Sequence, residues 1–208
     1  MGSLKRNYQN KFESRHLDSY KIKIARWVSI IAHPFVMVVV MVGTTAARFR
    51  PANEIATNVG IVVLLAVVPI ALLTARQVRR GAWGNVDASD VRERPLLYAV
   101  GIGGLGVLVA YLAIRRSDSF LLRGSSVALG VVVLCAIITR WIKVSLHVTA
   151  AALAATGLIL TGSVVGWILA AAVPFLVWSR LVLGRHKPWE VALGAMIGIA
   201  GGIVMRLL

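Results

Sequence analysis

The sequence predicts an all-α fold, a polytopic helical bundle embedded in a membrane. Three observations carry this reading. The chain of 208 residues is 58% hydrophobic with a mean hydropathy of +0.81, well above a soluble domain. Its apolar residues gather into nearly uncharged runs at 27–47, 58–75, 96–114, 124–139, 146–164, 166–178 and 191–205. Runs near the thickness of the hydrocarbon core read as membrane helices. They also lack period-two alternation and are too long for barrel strands. About six to seven transmembrane helices follow. The run 166–178 reaches spanning length only if it continues to Leu183 and carries Arg180 at its end.

Residues 1–26 form a basic, cytoplasmic N-terminal segment that can lie partly helical against lipid headgroups. Residues 27–208 form one transmembrane unit, and the first apolar run is read as an uncleaved anchor. His33-Pro34 interrupts that run and predicts a kink. Gly194, Gly198 and Gly202 recur four apart and suit close helix packing. "GIGGLG" at 101–106 matches a dinucleotide-binding fingerprint in letters only. It follows no strand and lies inside a membrane run. The single Cys135 leaves no disulfide framework or cysteine metal site within one chain.

A net charge of +15 suggests nucleic acid until its distribution is examined. Seventeen of the 23 Lys and Arg residues precede the first run or follow the second, fourth and sixth. The remaining six are Arg48, Arg50, Arg115, Arg116, Arg123 and Arg206. The positive-inside rule then places the N-terminus and the even-numbered connections in the cytoplasm. The charge reads as topogenic and lipid-facing, with no nucleic-acid partner. Trp27, Trp141, Trp178 and Trp189 fall near the cytoplasmic helix ends, as interfacial anchors do.

Three polar clusters share that face. The first holds Asp87, Asp90, Arg92, Glu93, Arg94 and Pro95. The second, "KVSLH", holds Lys143, Ser145 and His147 at the entrance to the fifth helix. The third, "SRLVLGRHKPWE" at 179–190, holds Arg180, His186 and Glu190. His186 and Glu190 are four apart, so on a helix start they share a face. A carboxylate on one imidazole nitrogen fixes the tautomer and leaves the other as nucleophile or base. Arg180 beside it supplies a fork of N–H donors suited to phosphate oxygens. His147 would protonate a leaving oxygen. Lys143 and the N–H groups opening the fifth helix would hold the remaining oxygens.

Ser179-Arg180, five residues, His186, three residues, Glu190 resembles the third motif of the type 2 phosphatidic acid phosphatase superfamily, with Glu for the usual Asp. Val144-Ser145-Leu146-His147 resembles a divergent second motif that keeps Ser and His. Arg94-Pro95 resembles the end of the first motif, with Asp87 where its Lys would stand. The motif-bearing part spans 87–208. The resemblance implies an integral-membrane lipid phosphatase working through a phosphohistidine. His186 would be the nucleophile, Glu190 its orienting partner and His147 the acid and base. Arg94, Arg180, Lys143 and Ser145 would bind phosphate, with Asp87 and Asp90 as possible support. Arg92 or Lys143 would replace the missing lysine. No metal and no other cofactor is expected.

The expected substrate is a lipid phosphate: phosphatidate, phosphatidylglycerol phosphate, a polyprenyl phosphate or a polyprenyl-linked sugar phosphate. Its chains would stay in the bilayer while the phosphate enters the cationic pocket at the cytoplasmic face of the plasma or inner membrane. Two alternatives stay open. Asp87 and Asp90 form a D-x2-D pair that could hold Mg²⁺ in a prenyl or phosphatidyl transferase. The chain could also bind or transport lipid without catalysis. The oligomeric state is not legible.

Overall fold

A computed structural model describes residues 19–49, 51–88, 90–115 and 119–208. Most of the basic N-terminal segment, with Lys5, Arg6, Lys11 and Arg15, lies outside the described residues, as do Arg50, Arg116 and Asp118. The described residues fold as an all-α bundle with no strand among them.

The expected first span is two helices. α1 (Ser19–Ile31) and α2 (Pro34–Phe49) meet at an angle of 41° around His33. Pro34 cannot continue α1, yet it suits the first turn of α2, where its missing N–H has no partner to lose. α3 (Ala52–Val62) runs through one π turn (Val63–Val67) into α4 (Val68–Arg79). Pro69 accounts for the π turn: it cannot donate to the carbonyl of Leu65, and its ring pushes that carbonyl aside. Gly104 sits over the displaced oxygen, where a Cβ would lie 2.5 Å from Leu65 O.

A short 3₁₀ turn (Val91–Glu93) leads into α5 (Arg94–Ile114). α6 (Ser119–Ile138), α7 (Leu146–Leu160), α8 (Val164–Val182) and α9 (Pro188–Leu207) follow. Five stretches are long and apolar enough to cross a membrane: Glu54–Arg79, Val91–Ile114, Phe120–Ile138, Val164–Val182 and Pro188–Leu207. The bent α1–α2 pair makes a sixth. The chain is therefore a multi-pass membrane-type bundle. Trp27, Trp141 and Trp189 are exposed on it, as the anchor reading requires. GIGGLG lies inside α5, and Cys135 is fully buried beside Tyr98, Val144 and Ile197.

α7 is only 15 residues long and is the axis of the bundle. Most of it is buried, against α9, α8 and α2. Its contact with α9 is backbone on backbone. A Cβ on Gly198 would lie 2.4 Å from Thr149 O and 2.9 Å from Leu153 N. One on Gly194 would lie 2.9 Å from Ser145 O, and one on Gly202 would lie 2.6 Å from Thr156 Cβ. The four-residue glycine spacing thus brings α9 down along α7 at the closest approach side chains allow. Gly198→Val is expected to force the helices apart and cost about 1–3 kcal/mol or more. Gly103→Ala, with open space around its Cβ, should be neutral or mildly stabilising. Thermal unfolding of both variants in detergent checks this.

Candidate functional site

The connection 80–93 braces itself with its own side chains. Asp87 N donates to Asn85 Oδ1 at 3.1 Å, Gly84 N to Glu93 Oε1 at 3.1 Å, and Arg92 N to Asp90 Oδ1 at 2.9 Å. Asp90 and Glu93 cap the 3₁₀ turn reciprocally. Ala88 follows with φ 46 and no exposed surface. A non-glycine residue held there marks a turn fixed by its surroundings. The turn delivers Asp87 into the bundle and leaves Asp90 and Arg92 exposed.

Asp87 meets the end of α8. Its Oδ2 accepts from Arg180 Nη1 at 2.8 Å and is paired with Arg185. Its Oδ1 lies 3.8 Å from His147 Nε2, too far for a hydrogen bond. α1 fixes the same end of α8. Ser179 Oγ donates to Ala25 O at 2.6 Å, and Arg180 Nη1 donates to Ser29 Oγ at 2.7 Å. Ser29, Ser179 and Arg180 are all buried.

The start of α9 supplies the second half. Pro188 opens the helix, and Glu190 reaches back to accept from Lys187 N at 3.1 Å. The same Oε2 pairs with His186 Nδ1 at 2.9 Å. One carboxylate therefore caps a helix and orients an imidazole. The loop ahead of α7 joins the two halves. Lys143 Nζ donates to Arg185 O, and Arg94 Nη1 at the start of α5 donates to Val144 O, both at 2.6 Å. Ser145 N donates to Glu190 O at 3.3 Å.

The structure thus gathers Asp87, Arg94, Lys143, Ser145, His147, Arg180, His186 and Glu190 at one end of the bundle. Asp90 stays outside as a turn cap, so the D-x2-D pair does not converge. Arg92 is exposed and supplies no buried charge. Arg185, counted in the sequence only as a topogenic cation, joins Arg180 on Asp87. Ser29 and His33 also border the cluster. The His33 ring stands edge-on to His147 with centroids 5.0 Å apart. Nothing local marks Ser29, whereas Arg185 lies beside His186 inside the motif spacing.

Burial pushes the His186 imidazole well below its ordinary range, and Arg94, Arg180 and Lys143 add to the shift. A backbone hydrogen bond to Lys143 opposes them without reversing the sign. The ring is neutral, as a nitrogen nucleophile must be.

Several buried polar atoms of the cluster are unanswered. Arg94 Nε, Arg180 Nε, Ser145 Oγ and His147 Nε2 have no hydrogen-bond partner. Such groups are costly unless something binds them. Four cations, Arg94, Lys143, Arg180 and Arg185, face two carboxylates, Asp87 and Glu190. The surplus of positive charge suits a phosphate monoester, which carries about −1.5 to −2 at neutral pH. His33, Asp87 and His147 bring metal-ligand atoms within 4.8 Å of one another. They fit a cation less well. Asp87 already answers two guanidiniums, and His33 Nδ1 already accepts from Phe35 N. A dication would add to an existing positive excess.

No family model matches the chain, and neither the curated proteins nor the solved structures contain a match.

Two outcomes follow from the charges. Asp87→Ala leaves Arg180 and Arg185 without their counter-ion, and breaking a buried pair in this way costs about 3–5 kcal/mol. Orthovanadate or phosphate should then raise the melting temperature of Asp87→Ala more than that of the unaltered protein, read by thermal shift in detergent. The second outcome concerns pH. Below about 6.5 the unfolded chain binds a proton at His186 that the folded chain refuses, so stability falls as pH drops through that value. The decline should be shallower in His186→Ala, read by the same assay between neutral and mildly acidic pH.

Proposed function

We propose that this protein is an integral-membrane lipid phosphatase that hydrolyses a phosphomonoester through a phosphohistidine, with its site on the cytoplasmic face. The observation that carries the reading is the buried cationic cluster itself. Unpartnered donors of Arg94, Arg180 and Ser145 lie around a neutral His186 held by Glu190. The motif spacing around Arg180, His186 and Glu190 supports the same chemistry, and charge asymmetry supports the sidedness.

Glu190 holds Nδ1, which makes Nε2 of His186 the attacking nitrogen. Nε2 forms a bond to phosphorus as the bond from phosphorus to the lipid oxygen breaks. His147 gives its proton to that oxygen, and the lipid alcohol leaves. A water molecule then attacks phosphorus, its proton passes to His147, and the N–P bond breaks to release phosphate. Arg94, Arg180, Lys143 and Arg185 neutralise the phosphoryl oxygens, and Ser145 donates to one of them. Fixed cations aimed at developing charge lower the barrier without reorganisation. Asp87 occupies the guanidinium seat before substrate arrives, so the incoming phosphate exchanges with an internal anion. Asp87 Oδ1 lies 3.8 Å from His147 Nε2, the nitrogen that would carry the proton the leaving group needs.

The test is phosphate release from lipid phosphates in detergent with EDTA present. Activity should survive chelation. His186→Ala should lose it by about 10⁴-fold or more, as when an essential nucleophile is removed. Acid-labile label from a radiolabelled lipid phosphate should appear on rapidly quenched unaltered protein and be absent from His186→Ala. Full activity of His186→Ala would falsify the assigned nucleophile, and strict dependence on Mg²⁺ would favour the transferase alternative.

A further inference from the structure

An apolar cavity of about 600 Å³ opens from the cluster into the bundle. This lies in the range of ligand-binding pockets. At the end nearest the cluster it is lined by His33, Asp87 and His147, and at the other end by Arg123 and Arg206; His186 and Arg180 do not line it. It therefore begins on the leaving-group side of the site, where His147 stands. His147 is 6% exposed, and its Nε2 is unpartnered.

From there the cavity follows α7. Ala150, Ala154, Gly157 and Thr161 line it at helical spacing, so small side chains leave a channel along one face. It ends near Arg206, the last cation of α9. From His147 to Thr161 the rise along the helix axis is about 21 Å. One leaflet of hydrocarbon is only about 15 Å deep. With His147 at the hydrocarbon boundary, a chain reaching the far end would pass the bilayer midplane, which the acyl chains of a diacyl lipid in one leaflet do not.

We propose that this cavity holds the phosphate-proximal stretch, about four to five isoprene units, of the single long chain of a polyprenyl-type lipid phosphate, with its phosphate in the cationic cluster. The inference rests on reading that cluster as a phosphate site. It places the chain inside the protein, whereas the sequence alone left it in the bilayer. The apolar wall, the cationic cluster that lies behind Asp87 at one end and the depth together select a long, single-chain anion over a two-chain phospholipid. The leaving oxygen would lie under His147, between the two compartments.

The test separates the chain from the chemistry. Native mass spectrometry of the detergent-solubilised protein measures bound undecaprenyl phosphate, farnesyl phosphate and dioleoyl phosphatidate. The long polyprenyl phosphate should bind best. Gly157→Leu is chosen because a Cβ there meets only flexible Met205 and Met41, at 3.5 and 3.7 Å. It should lower binding of the long chain relative to farnesyl phosphate by about tenfold or more, since several buried methylenes lose their place. Gly157→Ala, which fits without displacement, serves as the folding control and should bind like the unaltered protein. Phosphate release from the same lipids should show the same shift in chain preference. Tighter binding of phosphatidate, or an unchanged long-to-short ratio in Gly157→Leu, overturns the inference. Chain-selective binding without phosphate release from any lipid would uphold the cavity and remove the hydrolytic reading. Release without chain preference would do the reverse.

Discussion

The contact between α7 and α9 is the constraint from which the site follows. Gly198 over Thr149 O and Gly194 over Ser145 O bring two backbones into direct apposition. Such a contact fixes sliding and rotation more tightly than interlocking long side chains would, because no rotamer can absorb an error. Two turns above Gly198 is Glu190, and one turn above Thr149 is Ser145. The hydrogen bond from Ser145 N to Glu190 O closes the contact at its polar end. His147 is in the first turn of α7 and His186 lies two residues ahead of α9, yet their separation is set by glycines deep in the apolar part.

The polar end shows how a low-dielectric bundle tolerates so many guanidiniums. Buried charge is tolerable only when partnered. Arg94 is answered by a carbonyl, Arg180 by a hydroxyl and a carboxylate, and Lys143 by a carbonyl. Each is satisfied on one nitrogen, while Nε of both buried arginines is not. Folding therefore stops short of full satisfaction at the place where an anion is proposed to bind. Asp87 takes the position that a lysine holds in the resembling motif. It converts that corner from a fixed cation into a fixed anion, balanced by Arg185.

Much of this was legible in the sequence, for identifiable reasons. Apolar runs became helices because a chain in hydrocarbon must satisfy its own backbone. The four-residue glycine spacing became a packing seam. Arg180, His186 and Glu190 lie on either side of a tight helix connection, so local spacing was enough to bring them together. What could not be read depended on distant partners. Asp87 looked like half of a D-x2-D pair because its true partners lie 93 and 98 positions later. The short uncharged connection near Thr161-Gly162-Ser163 was legible between the fifth and sixth runs, and α7 does stop at Leu160, although the apolar run itself extends to 164. Pro69 was not read as a break, and the close approach of Gly104 to Leu65 O, 39 residues earlier, left no local trace. The cavity belongs to no single helix and leaves no periodic trace.

The bend at His33 has a consequence for biogenesis. It turns α1 back so that Ala25 and Ser29 clasp Ser179 and Arg180, while Glu190 is made 161 residues after Ser29 (190 − 29). Neither half of the chain alone contains the completed centre. Newly made protein must pass through an interval in which Arg94 already lies in the bilayer while the loop of His186 is still in the ribosome. An insertase or a neighbouring anionic lipid headgroup would have to shield that guanidinium until the last helix docks.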